Sequence, residues 1–551
     1  MKIALAQLNY IVGDIQGNKK KILDYIQRAS KSQSDLVIFS ELAICGYPPL
    51  DLLERGFFVD ACIKAMEELA VEIPGDIGAI VGGPEINENE EGKLLYNSAY
   101  VLYDGKIQQI IRKSLLPTYD IFDEYRYFEP NRKFDVLRFN GKRIALTICE
   151  DMWDEQPMEN EFSRTRLYTR RPLDELAAYD PDFIINIAAS PFSAKKQEIK
   201  QSIFINKALK HSLPVFMVNQ IGANTELIFE GGSLVVNPRG EIFHRLSYFE
   251  EDYFETELEE VRDGNELNEF DNPDRISMVY NGLVCGVRDY FKKSGFSKAT
   301  LGLSGGIDSA VTLAIAADAL GAENLQVLLM PSQYSSGHSI SDSEEMAGIL
   351  GIKYDIISIK DIFDLYREAL EPVFGDRPEN IAEENIQSRI RGTLLMGLSN
   401  KLGNILLNTS NKSETAVGYG TLYGDMAGGL SVLGDVYKVD VYALARYINR
   451  EKEIIPENII LKPPSAELRP DQKDSDSLPD YEILDAVLEL YIEKQKSVDH
   501  MVAEGFERDL VERIVRLVNL NEYKRYQTPP ILRITSKAFG VGRRLPIVGR
   551  F

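Results

Sequence analysis

Two apolar segments meet at a turn of small residues in the stretch Ala299-Thr-Leu-Gly-Leu-Ser-Gly-Gly-Ile-Asp-Ser-Ala310. Ala299–Leu303 predicts a short buried strand, and Ala310–Leu320 predicts an apolar helix. A strand that turns through adjacent glycines into a helix N-terminus directs backbone N–H groups to one point, and many proteins hold phosphate in this way. The stretch therefore predicts a phosphate-binding loop in an α/β domain.

This loop is not a Walker loop, because no Gly-Lys-Ser/Thr follows the glycines. Ser304-Gly-Gly-Ile-Asp-Ser309 instead resembles the SGGxDS loop of the ATP pyrophosphatases, enzymes that cleave ATP between its α and β phosphates. The alternative is an ordinary glycine-rich turn between a strand and a helix. The resemblance implies an ATP-binding loop of Gly302, Leu303, Ser304, Gly305, Gly306, Ile307, Asp308 and Ser309.

The composition is that of a globular protein. A chain of 551 residues is expected to form roughly two to four domains. Its net charge of −23 argues against nucleic acid or an anionic membrane as a partner. We find no apolar run long enough to span a membrane and no signal peptide. The cysteines are few and widely spaced, which fits a reduced cytoplasm better than a disulfide framework: Cys45, Cys62, Cys149 and Cys285.

Residues 1–265 alternate apolar strands with amphipathic stretches, as an α/β domain should. Glu41, Lys113 and Cys149 each follow an apolar strand segment, where an open α/β sheet gathers its chemistry. A carboxylate could take the thiol proton while an ammonium lowers the thiol pKa and stabilises an oxyanion. The clearest strands are predicted at Lys2–Gln7, Leu36–Ser40, Ile77–Gly82, Ile144–Ile148 and Phe183–Ala188.

The flanks of these three residues resemble the signatures of the nitrilase (carbon–nitrogen hydrolase) superfamily. The segments are Phe39–Pro49, Arg112–Tyr119 and Thr147–Trp153. The resemblance implies an α-β-β-α sandwich over residues 1–265. It also implies that Glu41, Lys113 and Cys149 are catalytic. Taken singly, each of these residues has an ordinary structural explanation, as a helix cap, a surface cation or a small core side chain.

A glutamine pocket is implied by the segment Ala189–Lys196, which matches the substrate segment of glutamine-using members. Ser190 and Lys196 lie at the matching positions, and Tyr119 supplies a third. The α-carboxylate of glutamine needs a cation such as Lys196. The alternative is that Lys196 is a solvated residue at a helix start.

Acidic and turn-forming residues between Asp263 and Pro273 predict a linker. From residue 275 to 551 strands and helices alternate again, in a doubly wound nucleotide-binding layout that resembles the Rossmann fold. The polar loop Pro463–Pro479 holds the run Asp471–Ser477 and predicts a mobile lid over bound nucleotide, with a passive surface loop as the alternative.

The C-terminal segments resemble the ammonia-channelling NAD synthetases. NTSNKSE (408–414), GDVYK (434–438) and KPPSAELRPDQK (462–473) occur in the order typical of that family, and the match spans about 275–540. With the nitrilase-type N-terminus, the whole chain resembles the glutamine-dependent members. The resemblance implies ATP binding by Thr409, phosphate binding by Lys438, Mg²⁺ binding by Asp308 and Glu414, and deamido-NAD binding by Asn385, Glu414 and Lys524.

The implied reaction joins two chemistries. Glutamine is hydrolysed to ammonia, which is channelled to deamido-NAD that ATP has adenylated, giving NAD, AMP and pyrophosphate. The resemblance also implies a homo-oligomer. The alternatives are another glutamine-fed ATP-pyrophosphatase amidotransferase, and a non-catalytic protein built on degenerate enzyme domains. The latter should have lost at least one of five residues, all of which are present: Glu41, Lys113, Cys149, Asp308 and Glu414.

Overall fold

The chain forms two compact units, Met1–Asn272 and Pro273–Phe551, in a computed structural model. The structure describes residues 1–155, 167–264, 272–470, 472, 474–476 and 478–549. Most of the predicted linker, residues 265–271, lies outside the described residues. Each unit is described by itself below.

The first unit contains two mixed sheets. In the part of the chain that the structure describes, each sheet has six strands, in the orders β14-β1-β2-β3-β4-β5 and β13-β12-β9-β8-β7-β6, and β10 pairs with β11. The strands are β1 Lys2–Gln7, β2 Leu36–Ile38, β3 Gly78–Ile86, β4 Leu95–Tyr103, β5 Lys106–Arg112, β6 Leu137–Phe139, β7 Lys142–Ile148, β8 Phe183–Ala188, β9 Val215–Asn219, β10 Ile221–Asn224, β11 Leu227–Glu230, β12 Leu234–Val236, β13 Ile242–Arg245 and β14 Asp252–Glu257.

Alternation along the strands explains why the two sheets pack face to face. Ile3 and Leu5 of β1 lie in the core cluster that also holds Ile185 and Ile187 of β8, from the other sheet. The intervening Ala4 packs toward the helical side. The helices are α1 Ile15–Lys31, α2 Gly56–Glu72, α3 Glu124–Tyr127, α4 Pro172–Ala177, α5 Gln197–His211 and α6 Leu258–Asp263.

The α-β-β-α sandwich that the resemblance implied is thereby confirmed. The residues of α1 and α2 pack on the outer face of one sheet, and those of α4 and α5 pack on the outer face of the other. The predicted strand Leu36–Ser40 is too long, since it ends at Ile38. The chain turns out of the sheet there, and Cys45 N and Gly46 N both donate to the Leu42 carbonyl.

The second unit is built on a parallel sheet. Within the described residues it has five strands in the order β17-β16-β15-β18-β19, and every pairing is parallel. The order reverses between β15 and β18, so this is a doubly wound sheet with its switch point at those two strands. The strands are β15 Ala299–Gly302, β16 Leu325–Leu329, β17 Lys353–Ile356, β18 Ile405–Asn408 and β19 Leu430–Ser431.

Two helices of the second unit begin earlier than the sequence predicts. α8 starts at Ile307 rather than Ala310, because Gly306 already serves as its N-cap. The run Glu384–Arg391 also predicts a helix, which would begin at Glu384, but α11 starts at Ile381, since Asn380 and Glu383 form a capping box. The helices are α7 Arg275–Ser294, α8 Ile307–Leu320, α9 Gly337–Leu350, α10 Lys360–Phe374, α11 Ile381–Leu402, α12 Lys412–Val417, α13 Lys438–Ile448, α14 Glu457–Leu461, α15 Tyr481–Leu488, α16 Val498–Ala503, α17 Arg508–Leu520 and α18 Glu522–Arg525.

No helix within the described ranges combines the length and apolar character that a membrane span requires.

Candidate active sites

A buried ammonium lies between two carboxylates in the first unit. Lys113 and Glu41 are both 0 % exposed, and Lys113 Nζ lies 2.7 Å from Glu41 Oε1. The same Nζ donates to both oxygens of Glu124, at 2.9 and 2.8 Å. Burial alone would lower the pKa of Lys113, but Glu124 and Glu41 outweigh it and hold that pKa well above its ordinary value. Lys113 is therefore a fixed positive charge inside the sandwich.

Glu124 is the buried acid that sequence analysis missed. It stands on the short helix α3 and accepts a hydrogen bond from Tyr47 Oη at 2.9 Å. Burial raises its pKa to about 7, although the ammonium of Lys113 opposes that shift. Glu124 follows no apolar strand, so the position that pointed to Glu41, Lys113 and Cys149 gives no signal here.

Cys149 lies directly after β7, in an unusual backbone conformation. Its φ is +44°, in the left-handed region that side chains other than glycine's seldom adopt. Burial and the Glu41 carboxylate raise the pKa of its thiol, while Lys113 opposes that increase. At neutral pH the thiol thus keeps its proton, and an attack by this sulfur needs a base to accept that proton.

The carboxylate of Glu41 joins strands from both sheets at this site. Its Oε1 accepts a hydrogen bond from Asn97 Nδ2 at 2.7 Å, and its Oε2 accepts one from the Ala189 N–H at 3.0 Å. The neighbouring Ser190 is held through its backbone N–H, which donates to Asn219 Oδ1 at 2.9 Å. The segment after β8 is therefore fixed to the carboxylate beside Cys149.

The carboxylate of Glu150 accepts hydrogen bonds from two tyrosine hydroxyls near the predicted glutamine pocket. Its Oε1 accepts hydrogen bonds from Tyr119 Oη at 2.9 Å and from Tyr168 Oη at 2.8 Å. Burial raises the pKa of Glu150, and the charges of Lys113 and Lys196 are among the influences that lower it. Lys196 is exposed at the N-cap of α5. Tyr119 and Lys196, two of the predicted glutamine-binding residues, thus lie near Glu150, the residue after Cys149. Sequence analysis did not single out Glu150 or Tyr168.

All of the predicted synthetase residues line one cavity in the second unit. Its volume is about 410 Å³, and its walls include the residues after β15 and β18 at the switch point of the sheet. The predicted residues on its wall are Gly302, Leu303, Ser304, Gly305, Gly306, Ile307, Asp308, Ser309, Asn385, Thr409, Glu414, Lys438 and Lys524.

The loop after β15 has the geometry of an anion cradle. Gly305 has φ +75°, and a Cβ there would lie 2.4 Å from the Ser339 carbonyl oxygen, so only glycine fits. Ser309 Oγ donates to the Gly306 carbonyl at 2.9 Å, and Ser304 Oγ accepts from the Gly306 N–H at 3.3 Å. These contacts hold the loop at the N-terminus of the fourteen-residue helix α8.

Lys438 holds the two carboxylates that were predicted to bind metal. Its Nζ lies 2.5 Å from Asp308 Oδ2 and 3.2 Å from Glu414 Oε1. Burial would lower the pKa of Lys438, but Asp308 and Glu414 reverse that effect and raise it. Burial raises the pKa of Glu414 to about 8, against the pull of the ammonium. The cavity thus has a compact group of opposed charges on one wall.

Asn385 and Lys524, two of the three residues predicted to bind deamido-NAD, line the same cavity. Lys524 Nζ donates to the carbonyls of Gly418 and Gly420, both at 2.8 Å, and burial lowers the pKa of this lysine. Asn385 Oδ1 accepts a hydrogen bond from Thr421 Oγ1 at 2.8 Å. Both side chains therefore brace the segment after α12.

Comparison with known proteins identifies the family. A model described as carbon-nitrogen hydrolase matches residues 2–262, and one described as NAD synthase matches residues 279–528. A protein of Synechocystis sp. named glutamine-dependent NAD(+) synthetase is 44% identical over 100% of this chain and 99% of its own length. One of that name from Acinetobacter baylyi is 42% identical, over 99% and 98% of the two chains. The chain belongs to the glutamine-dependent NAD(+) synthetase family.

Solved structures agree with this assignment. A glutamine-dependent NAD+ synthetase from Acinetobacter baumannii, in complex with adenosine diphosphate, has a TM-score of 0.78 and 39% identity, and the match covers 99% of this chain and 98% of that one. A glutamine-dependent NAD(+) synthetase from Cytophaga hutchinsonii shares the fold, with a TM-score of 0.82 at 20% identity over 100% and 98% of the chains. The chain is therefore an enzyme, a ligase, and the other amidotransferases and the non-catalytic alternative fall away.

Part of the loop that was predicted to be a lid lines the cavity. Pro463 to Leu468 line it, and Glu467 accepts hydrogen bonds from Lys462 Nζ at 2.7 Å and from Ser339 Oγ at 2.8 Å. Asp471, Lys473 and Ser477 of the predicted loop Pro463–Pro479 lie outside the described residues.

Proposed function

We propose that this chain makes NAD by amidating deamido-NAD with nitrogen taken from glutamine, using Cys149 in the first unit and the 302–309 loop in the second. One observation carries the proposal. Every residue that the family resemblance assigned to the ATP and deamido-NAD sites lines the same 410 Å³ cavity, although these residues are spread over more than two hundred positions of the chain.

Glutamine is attacked by Cys149 Sγ at the carbon of its side-chain amide. Glu41 accepts the thiol proton as the S–C bond forms, which is required because the resting thiol is protonated. Glu41 then gives that proton to the departing nitrogen, and ammonia leaves as the C–N bond breaks. Water hydrolyses the thioester with Glu41 again acting as base, so that glutamate is released and the thiol is restored.

Lys113 stabilises the oxyanion that forms on the amide oxygen during both attacks. A fully buried ammonium is effective in this role, because its field is not screened by water. Glu124 is the second carboxylate that holds the ammonium in place. Tyr119, Ser190 and Lys196 bind the amino-acid end of glutamine, and Lys196 supplies the cation for its α-carboxylate.

The second half-reaction activates the pyridine carboxylate of deamido-NAD. One carboxylate oxygen attacks the α-phosphorus of ATP, and pyrophosphate leaves into the loop at the start of α8. Ammonia then attacks the carbonyl carbon of the adenylate, AMP departs, and the amide of NAD results. Thr409 contacts ATP, Lys438 neutralises phosphate charge, and Asn385, Glu414 and Lys524 contact deamido-NAD.

Mg²⁺ is the metal that fits the carboxylates of this cavity. Asp308 and Glu414 converge on one cationic atom, and both offer the hard oxygen ligands that Mg²⁺ prefers. Among the described residues no cluster of three or more metal-binding side chains occurs. Such a cage is not needed, since Mg²⁺ commonly uses one or two carboxylates together with substrate phosphates. When bound, the ion would neutralise charge on the phosphates.

Ammonia has to be kept from solvent between the two sites because water would protonate it. Ammonia released into water at neutral pH is mostly ammonium, which is not a nucleophile, so the proposed pathway delivers it without release to solvent. The proposed partners are glutamine, ATP and deamido-NAD, with no nucleic acid and no membrane. We also propose a homo-oligomer that works in the cytoplasm.

The identity of the molecule that accepts the amide nitrogen tests the proposal. The protein is incubated with ATP, Mg²⁺ and ¹⁵N-amide glutamine, in parallel with deamido-NAD, xanthosine monophosphate or aspartate. Label is expected in NAD alone, with one AMP formed for each amide. Label in guanosine monophosphate or asparagine would contradict the proposed acceptor, and NAD formed without label would contradict glutamine as the donor.

A further inference from the structure

The proposed nucleophile and the proposed oxyanion-stabilising cation are delivered by different sheets. Cys149 follows β7, whose partners are β6 and β8. Lys113 follows β5, which pairs with β4 in the other sheet. Strand pairing therefore sets the position of each residue within its own sheet, and it does not set the position of one relative to the other.

A single carboxylate bridges the two segments. Asp151 Oδ1 accepts hydrogen bonds from the backbone N–H groups of Ser114 at 3.0 Å and Leu115 at 2.8 Å, the two residues after Lys113. Its Oδ2 accepts one from the N–H of Ile148 at 3.1 Å, the residue before Cys149. Three backbone donors from the two sides of the site thus meet on one side chain.

The bridge is buried, so water does not compete with Asp151 for these donors. Asp151 is 3 % exposed, and Ile148 is fully buried. A buried N–H that loses its acceptor destabilises the fold, so the three bonds strongly resist any movement of the two segments apart. The bond to Ile148 also fixes the peptide that enters the left-handed conformation of Cys149.

We propose that Asp151 is a positioning residue that sets the distance between Cys149 and Lys113 and holds the strained backbone of the nucleophile. This inference rests on the proposed function, because it assumes that Cys149 attacks glutamine and that Lys113 stabilises the oxyanion. Asp151 takes no part in proton transfer. It acts through the geometry of the two residues that touch the reacting atoms.

Asp151→Asn tests the bridge with the least change of shape. The amide keeps one acceptor oxygen, but its NH₂ group opposes one of the three backbone donors. We expect kcat for glutamine hydrolysis to fall about 10²-fold, as when an oxyanion donor is displaced, with KM for glutamine within about threefold. Ammonia-dependent NAD synthesis should stay unchanged, because it uses the second unit.

Alkylation separates positioning from loss of stability. The rate at which iodoacetamide modifies Cys149 is measured against pH in both proteins by mass spectrometry. Because Lys113 lowers the thiol pKa, moving the two apart should raise the apparent pKa of modification by about one unit.

Asp154→Asn is the matched control. Asp154 is a buried acid on the same turn, but its carboxylate pairs with Lys207, 2.5 Å away, and does not contact the segment after Lys113. We expect a comparable loss of thermal stability, an unchanged alkylation profile and kcat within about threefold of the unaltered protein.

The outcomes separate cleanly. If alkylating Cys149 leaves the glutaminase of the unaltered protein intact, the proposed function fails and the inference with it. If alkylation abolishes that activity but Asp151→Asn keeps kcat, or loses kcat with an unshifted alkylation profile, only the positioning role is overturned. If Asp151→Asn does not fold, Asp151→Glu retains the charge with one more methylene, and the same shift in smaller measure is expected. An unshifted profile in the folded glutamate variant overturns the inference.

Discussion

The two sites of this chain organise charge in opposite ways. In the first unit an ammonium that is 0 % exposed is held between two buried carboxylates, Glu41 and Glu124, with both partners within 2.9 Å. In the second unit Lys438 and its carboxylates stand on the wall of a cavity of about 410 Å³. We propose that the first site is already formed before it binds a small neutral amide. We propose that the second receives large anions, which rearrange its ion pairs.

This difference suggests how each site should respond to mutation. A pre-organised site supplies its electrostatics before the substrate arrives, so a change in its network acts on kcat. A site whose charges compensate one another in the free enzyme gives its cations to the substrate when it binds, so a change in a peripheral cation acts on KM. The predictions below separate these two behaviours, beginning with the largest effect.

Asp308→Ala should abolish synthesis with either nitrogen source, by about 10³-fold or more. The substitution removes a proposed metal ligand and leaves the Lys438 ammonium without its nearest carboxylate, at the start of the phosphate loop. Glutamine hydrolysis should persist, because its residues lie in the first unit. Asp318→Ala on the same helix, an exposed acid bonded to Tyr280, should keep full synthesis. ATP turnover that survives in Asp308→Ala would refute the loop assignment.

Glu124→Gln should lower glutamine hydrolysis about 10²-fold, chiefly in kcat. The amide removes one of the two negative charges that hold Lys113, the other being that of Glu41. Glu85→Gln is the control, since Glu85 pairs with Arg112, the neighbour of Lys113 in the chain. Steady-state kinetics at saturating glutamine measure the effect, and equal losses in both variants would contradict a specific role for Glu124.

The raised pKa of Glu124 predicts how the glutaminase activity depends on pH. Burial raises the pKa of Glu124 to about 7, so it is charged above that pH and neutral below it. The groups that face it are Lys113, Glu41 and Tyr47. Activity should therefore fall as the pH drops through about 7, and Glu124→Gln, which is neutral at every pH, should lack that acid limb. An acid limb that persists in the variant would assign it to another group.

Lys524→Met should have the smallest effect, on affinity rather than on turnover. Loss of one charged hydrogen bond to deamido-NAD should raise KM for that substrate about tenfold, and kcat should change little. Lys494→Met, which removes an exposed lysine paired with Glu489, serves as the control. A fall in kcat without a change in KM would indicate that the second site is pre-organised, like the first.

The residues of these sites could be predicted to different degrees. The loop 302–309 is contiguous, so its chemistry was visible in eight successive residues, and all of them line the cavity. Glu41, Lys113 and Cys149 could be identified because each follows an apolar strand. Glu124 stands on a four-residue helix and Asp151 acts on backbone groups of another segment, so only the folded chain reveals their partners.

The boundaries of strands and helices, too, could be predicted only where the signal lies within the local sequence. The apolar patterns predicted β1 and β8 with their observed bounds, whereas the predicted Ile144–Ile148 misses the polar first two residues of β7, Lys142 and Arg143. The early starts of α8 and α11 depend on capping contacts, which the apolar pattern does not encode. Strand order at the switch point likewise depends on pairing between segments that are far apart in the chain.

The central claim is that ammonia made at one site of the chain supplies the amide formed at the other, and exchanging the nitrogen source of Cys149→Ala tests it most directly. NAD formation is measured with saturating ATP and deamido-NAD, first with glutamine and then with a high concentration of ammonium chloride at mildly alkaline pH. The account predicts that the glutamine-supported rate falls about 10³-fold or more, while the ammonia-supported rate stays within about twofold of the unaltered protein. Loss of both rates in a folded protein, or retention of the glutamine-supported rate, would contradict it.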